Sequence, residues 1–356
     1  MRPVPTAWRP ADAARWHAAG HWRTEALAAL LSRTATARGT ATALIDGDVR
    51  LSFTDWERRA ARLAAGLADL GVGRGDVVAY QLPNWWEGAV VFLAAARLGA
   101  VVNPVLPIFR ERELAFILAQ SGAAVLVIPG NFRGCDYRAL IAPLRQALPE
   151  LRAVVVARDA APADMLAFDG LLDAAGAPPD TAVDADAVCM LMYTSGTTAA
   201  PKGVLHTHNT LLAEVRSLER IHALTAADRT LMPSPLTHIS GVIHAIVTPA
   251  AVGTSAVLME RWDAGAGLAL IAAEGVTYMV GAPTFLQDLT EHPARAAHDL
   301  GSLRLFSCGG AAVSVDLILR ARANLGCVAK RVYGSTEFPT ITTTDATDAA
   351  EMGSET

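Results

Sequence analysis

The sequence predicts an α/β protein of two subdomains, each a mostly parallel sheet flanked by helices, on three observations. Fully apolar runs of strand length alternate with segments of helical spacing, the pattern of parallel sheets covered on both faces. A chain of 356 residues is long for one core and suits two. Between the two alternating regions, the Ala/Asp/Pro-rich stretch from Ala157 to Asp186 gains polarity and loses periodicity, as a linker does. The subdomains are therefore placed at residues 1–184 and 185–356.

In the first subdomain, residues 24–33 have helical spacing, and residues 43–53 read as a hairpin turning at Asp46-Gly47. Thr54 with Glu57 forms a capping box for a helix that runs to about Leu70 and ends at Gly71. Asp76–Leu82, Ala100–Asn103 and Ala123–Ile128 are buried strands, separated by helices Trp85–Leu98 and Glu111–Ser121, the latter closed by Gly122. In the second, Ala187–Tyr193 and Gly203–Thr207 are strands and Leu211–Leu224 is a helix. Strand Thr254–Met259, helix Gly265–Glu274 and strand Tyr278–Gly281 follow, then strands Leu303–Ser307 and Ala329–Tyr333 around helix Val315–Leu325.

Composition narrows the function. A net charge of −5 gives no basic footprint for nucleic acid. Cys135, Cys189, Cys308 and Cys327 are scattered, without the spacing of a zinc site, and suit a reducing cytoplasm. The start, Met-Arg-Pro-Val-Pro-Thr-Ala-Trp, lacks the apolar core of a signal peptide. The most apolar window, Ala89–Leu106, contains Arg97, Gly99, Asn103 and Pro104, so it reads as a buried helix and turn and not as a membrane span.

The stretch Tyr193-Thr-Ser-Gly-Thr-Thr-Ala-Ala-Pro-Lys-Gly-Val204 gathers hydroxyls, a glycine turn and one lysine into a single loop. Where the apolar run breaks at Thr194-Ser195-Gly196, backbone amides are free to face an anion. The hydroxyls of Ser195, Thr197 and Thr198 add donors and Lys202 adds charge. It is a polyphosphate loop, but not a P-loop. Pro201 and Gly203 flank the lysine where a Walker A motif needs glycine and Ser/Thr, and the loop joins two strands.

Four further segments follow in order: Pro235-Leu-Thr-His-Ile-Ser-Gly241, Gly281-Ala-Pro-Thr-Phe285, Ser307-Cys-Gly-Gly-Ala-Ala312 and Tyr333-Gly-Ser-Thr-Glu337. With the phosphate loop they resemble the core motifs of the AMP-forming acyl-CoA synthetase family, which includes luciferases and peptide-synthetase adenylation domains. Leu82-Pro-Asn-Trp-Trp-Glu87 and the segment Val102–Glu113 resemble, more narrowly, the branch with cyclohexanecarboxylate and medium-chain fatty acyl-CoA ligases.

The resemblance implies a carboxylic acid, ATP and coenzyme A as small-molecule partners, with Mg²⁺ as cofactor and a homodimer as an admitted assembly. The acid attacks the α-phosphate of ATP, giving acyl-adenylate and pyrophosphate, and a thiol then displaces AMP. Thr194, Ser195, Gly196, Thr197, Thr198 and Lys202 match the loop on the β- and γ-phosphates. Tyr333 matches the ring along adenine, Thr336 the hydroxyl at the α-phosphate, with Gly334 and Ser335 between them, and Glu337 the Mg²⁺ ligand. Gly309, Gly310 and Ala311 match backbone lying close to adenine and acyl group, and Gly281, Ala282 and Pro283, with Thr284 and Phe285, the edge of the acyl pocket. His238 matches an aromatic gate beside the α-phosphate. Thr198, Lys202, His238 and Glu337 are thus the implied catalytic set. His206, His208 and His244 have no motif and are read as structural.

In the amino-acid-activating branch an acidic residue follows the gate; here Ile239 does, and an ammonium against it would be unpaired, so a plain acid is expected. Ala199 stands where the family has glycine. The chain ends at Thr356, ahead of the family's ribose-binding Asp, hinge and small C-terminal domain with its catalytic lysine, so the large N-terminal domain alone is expected. The alternatives are a non-catalytic nucleotide- or acyl-binding relative and a domain that loads a carrier protein.

Overall fold

A computed structural model describes residues 8–173, 176–178, 181–194 and 201–344. Two units make up the chain: Met1–Gly39 with Phe53–Ala213, and Thr40–Ser52 with Glu214–Thr356.

The first unit holds a seven-stranded sheet in the order Lys202–Thr207, Val188–Thr194, Val101–Pro104, Val77–Tyr80, Ala123–Pro129, Ala153–Ala157, Leu166–Ala167. Neighbours run parallel except the first pair. Both alternating sets of strand residues are buried: Val77, Ala79, Leu126 and Val154 on one side, Val78, Tyr80, Val127 and Val155 on the other. This is why these strands read as unbroken apolar runs. Helix Glu111–Ser121 ends where Gly122 takes φ 65°, and its Leu114 and Ile117 pack on the first of those faces. The apolar window at residue 89 is helix Trp86–Arg97, buried from Trp86 through Ala96. Among the described residues no helix is long and apolar enough to cross a membrane.

The expected boundary at 184/185 shifts. Val188–Thr194 joins the first sheet in parallel to Val101–Pro104, with Met190 opposite Val102, and carries its antiparallel partner with it. The hairpin Thr42–Asp46/Val49–Ser52 belongs to the second unit, because Thr42–Asp46 pairs with Ser255–Leu258. Two helix starts also differ from expectation. No Thr54–Glu57 capping box forms: the helix begins at Phe53, and Glu57 turns to Ser32 Oγ at 2.8 Å and to the Arg97 guanidinium. Helix His208–His222 begins ahead of Leu211 because Thr207 and Thr210 each accept the other's backbone N–H on a hydroxyl, at 3.1 and 2.9 Å.

In the second unit eight strands are ordered Thr342–Thr343, Val328–Tyr333, Leu305–Gly309, Tyr278–Gly281, Arg229–Met232, Ser255–Leu258, Thr42–Asp46, Val49–Ser52. Interior pairs are parallel and the two edge pairs antiparallel. One face, with Leu231, Val257, Met279, Phe306 and Ala329, packs against helices Ala264–Glu274, Pro283–Glu291 and Val315–Leu325. The other face is more polar, with Thr230, Tyr278, Val280, Ser307 and Lys330 buried on it. The π-helical segment Ile243–Val247 packs on the sheet through Arg229–Met232 and Ser255–Leu258.

Candidate active site

A cavity of about 490 Å³ opens at the carboxyl ends of the second unit's parallel strands, where open α/β sheets bind ligands. Gly281 and Gly309, each the last residue of its strand, form its rim with Ala282, Gly310, Gly334, Ser335 and Thr336. One wall is His238, Ile239, Ser240, Ile243 and His244, and Pro235, Val280, Phe285 and Val332 give an apolar lining. A second cavity of about 900 Å³ shares Gly310, Val332 and Gly334 with the first, and adds Ala311, Arg331, Tyr333 and Thr342–Thr344.

Local backbone explains the rim. Past Tyr333 the chain folds back so that the Ser335 N–H donates to the Phe338 carbonyl at 2.9 Å and the Phe338 N–H to Ser335 Oγ at 3.3 Å, leaving Thr336 and Glu337 at the tip of the turn. Residue 334 must be glycine, since a Cβ there would collide with the Pro339 carbonyl. Gly310 has φ 85°, a left-handed conformation that side chains disfavour.

His238 caps the short helix Ile239–Val242. Its Nδ1 accepts the Ser240 N–H at 3.3 Å and lies 2.9 Å from Ser240 Oγ, so the proton of the neutral ring sits on Nε2. The ring keeps an exposed edge, while the protein packed around the rest desolvates it and lowers its pKa. Glu214, buried on helix His208–His222, has its pKa raised by burial, with hydrogen bonds from the Thr340 side chain and backbone pulling the other way.

The structure gathers His238, Ile239, Gly281, Ala282, Gly309, Gly310, Gly334, Ser335 and Thr336 around the smaller cavity, and Gly310, Ala311, Tyr333 and Gly334 around the larger. Tyr333 is 65% exposed, not a core aromatic. Pro283 opens helix Pro283–Glu291 and, like exposed Glu337, is on neither lining. In the first unit Thr194 and exposed Lys202 are opposite one another on paired strands; Ser195, Gly196, Thr197, Thr198 and Ala199 lie outside the described residues.

Of the three histidines read as structural, His206 has Nδ1 3.2 Å from Thr210 Oγ1, and His208 Nδ1 accepts the Leu27 N–H at 3.3 Å. The third, His244, lines the cavity, buried, with its ring edge-on to Tyr278 at 6.0 Å and its pKa lowered by burial to about 4. Glu214, Ser234, Ser240 and Thr340 were also missed. Only Glu214 carried a signal: it shares a helix face with buried Leu211 and Leu218, an acid at a core position.

Among the described residues no group of three or more His, Cys, Asp or Glu could hold a metal ion. Glu337 offers one exposed carboxylate, which fits an Mg²⁺ that arrives on phosphate oxygens and needs few protein ligands.

A parallel sheet whose strand ends carry a glycine rim, a Thr-Glu turn and two adjoining cavities defines an α/β protein with room for small molecules at its strand ends. Residues 31–355 match the family described as AMP-binding enzyme, and the chain belongs to that family. It is 34% identical over 321 residues to the medium-chain fatty-acid–CoA ligase of Escherichia coli (strain K12), covering 89% of this chain and 56% of the ligase. To the feruloyl-CoA synthase of an Amycolatopsis species it is 36% identical over 313 residues, covering 87% of this chain and 60% of the synthase. Among solved structures, Mycobacterium smegmatis MbtA in its apo form superposes with a TM-score of 0.87 at 30% identity, covering 98% of this chain and 64% of MbtA. The anthranilate CoA ligase AuaEII in complex with anthranoyl-AMP gives 0.84 at 25% identity, with coverage of 92% and 63%. The chain thus spans less than two thirds of the curated relatives it matches.

Proposed function

We propose that this chain carries the acid- and nucleotide-binding part of an AMP-forming acyl-CoA ligase. One observation carries the reading: the two cavities share Gly310, Val332 and Gly334. A nucleotide in the larger and an acid in the smaller would then meet beside Thr336.

In this reading a carboxylate oxygen of the acid attacks the α-phosphorus, the bond to pyrophosphate breaks, and negative charge grows on the phosphoryl oxygens. The protein supplies alignment and hydrogen-bond donors in place of a nucleophile. Thr336 donates from its hydroxyl and neutral His238 from Nε2–H. Tyr333 lies along adenine, with the backbone of Gly309, Gly310 and Ala311 close by. Thr194, Ser195, Gly196, Thr197, Thr198 and Lys202 are the proposed pyrophosphate-binding residues, on the resemblance of their loop. Glu337 would hold a bound Mg²⁺, which would neutralise phosphate charge. Ile239, buried at the acid site, offers nothing to an ammonium, which favours a plain acid over an amino acid. Coenzyme A is the proposed thiol acceptor. The four unpaired cysteines fit a cytoplasmic setting.

ATP–pyrophosphate exchange over alkyl, alicyclic and aromatic acids tests the proposal, followed by AMP release with coenzyme A or a pantetheinyl carrier as acceptor. Exchange with at least one acid is expected, and AMP release faster with coenzyme A. Nucleotide binding with no exchange for any acid, in this chain and in the longest form its gene encodes, would leave a binding module in place of a ligase.

A further inference from the structure

We infer that the smaller cavity selects an acid bearing a hydroxyl or carbonyl oxygen remote from its carboxylate, and that His244 is the residue that recognises this oxygen. The inference rests on the acyl-adenylate reading above.

The geometry sets the depth. Gly281 ends its strand at the rim, and Tyr278 begins the same strand, about 10 Å away at the usual rise per residue. Tyr278 and Val280 face the same side of the sheet, and Val280 lines the cavity. The His244 ring, edge-on to Tyr278 at 6.0 Å, therefore lies at the deep end. An acid whose carboxylate sits at the rim beside Thr336 and His238 sends its tail toward His244.

The chemistry sets the preference. Ile239, Ile243, Val280 and Phe285 make the lining largely apolar, and His244 stands among them as a buried imidazole. Its Nδ1 has no hydrogen-bond partner among the described residues, so no protein bond fixes its tautomer. A neutral imidazole always holds one donor and one acceptor. It can thus give its proton to a carbonyl or ether oxygen, or bond a hydroxyl in either sense. A plain alkyl tail would leave this buried group unsatisfied, which a binding site penalises.

Matched acids test this: decanoate against 10-hydroxydecanoate, and 3-phenylpropanoate against its 4-hydroxy and 4-amino derivatives. Affinities are measured by calorimetry on this chain with AMP present. The oxygenated member should bind about tenfold tighter in at least one pair. That ratio should fall to about one in His244→Leu and largely persist in His244→Gln, with AMP affinity and thermal midpoint unchanged in the Gln variant. Equal or tighter binding of the plain acids, a ratio that His244→Leu leaves unmoved, or tighter binding of the amino derivative would overturn the inference alone. Failure of every acid to bind while AMP binds would overturn the acyl-adenylate reading together with it.

Discussion

Nδ1 of His238 accepts the backbone N–H of Ser240 at 3.3 Å, and that bond decides which ring nitrogen is left to donate to a ligand. Replacing the ring by one of similar shape without a donor separates packing from chemistry. His238→Phe should lower kcat for pyrophosphate exchange by roughly tenfold to a hundredfold while leaving AMP affinity within about twofold. Parallel loss of both would mean that the ring only shapes the cavity.

Acid should destabilise the fold through its buried histidines. Burial lowers the pKa of His208 and His244 to about 4 and that of His222 well below 6.5, and lowers His238 as well. Unfolded, each regains a value near 6.5, so between about pH 6.5 and 4 the unfolded chain binds more protons and stability falls as pH falls. Above that window their contribution is complete. Each shift of the size seen at His208 is worth on the order of 3 kcal/mol. The thermal midpoint should be nearly flat from about pH 8 to 7 and several degrees lower by about pH 5; a flat profile across that range would contradict neutral buried rings.

Arg158 holds Glu87 through two bonds, Nε to Oε1 at 2.7 Å and Nη2 to Oε2 at 2.8 Å, with its guanidinium 4.3 Å from the centre of the Trp85 ring. Glu87 is buried, so Arg158→Ala strands a carboxylate. Chemical denaturation should show a loss of about 3 kcal/mol, with Arg158→Lys recovering only part because lysine lacks the planar fork. An effect below about 1 kcal/mol would mean that water replaces the guanidinium.

Lys202 anchors its backbone in the pairing with Thr194 while its side chain is exposed. The strand should therefore survive Lys202→Ala. Calorimetry should show pyrophosphate affinity weakened about tenfold to a hundredfold, the range of a lost charged hydrogen bond, and AMP affinity almost unchanged. Equal loss for both ligands would remove Lys202 from the pyrophosphate grip.

Thr340 meets the Glu214 carboxylate just beyond the turn that carries Thr336 and Glu337. Glu214→Gln keeps an acceptor for Thr340 and Glu214→Leu does not. The Leu variant should lose about fivefold to thirtyfold in kcat/KM for exchange and the Gln variant less than about threefold. If the two lose alike, charge matters and not the hold on Thr340.

Most strands were legible in the sequence, whereas Arg229–Met232, Ala153–Ala157 and the floor of the cavity were not. Tyr278–Gly281, Val315–Leu325 and Glu111–Ser121 have the bounds that their apolar spacing indicates, since a strand or helix buried along its length writes its period into residue type. Gly310 and Gly334 were singled out only through the motifs that carry the family resemblance, and the structure adds the backbone reason, a φ of 85° at Gly310 and the Pro339 carbonyl against Gly334. The division at 184/185 failed because Met190 finds Val102 across a long stretch of chain, a pairing with no local signature. His244 and Glu214 escaped because a lone polar residue in an apolar setting gains its meaning only from what tertiary packing sets beside it.

The rim of the smaller cavity is largely main chain and its floor is side chain. Mutation edits side chains freely and main chain hardly at all, so the two ends of the cavity drift at different speeds over evolutionary time. On the proposed reading, a lineage would trade one acid for another by a single exchange at the depth of residue 244 while the main-chain rim stays still.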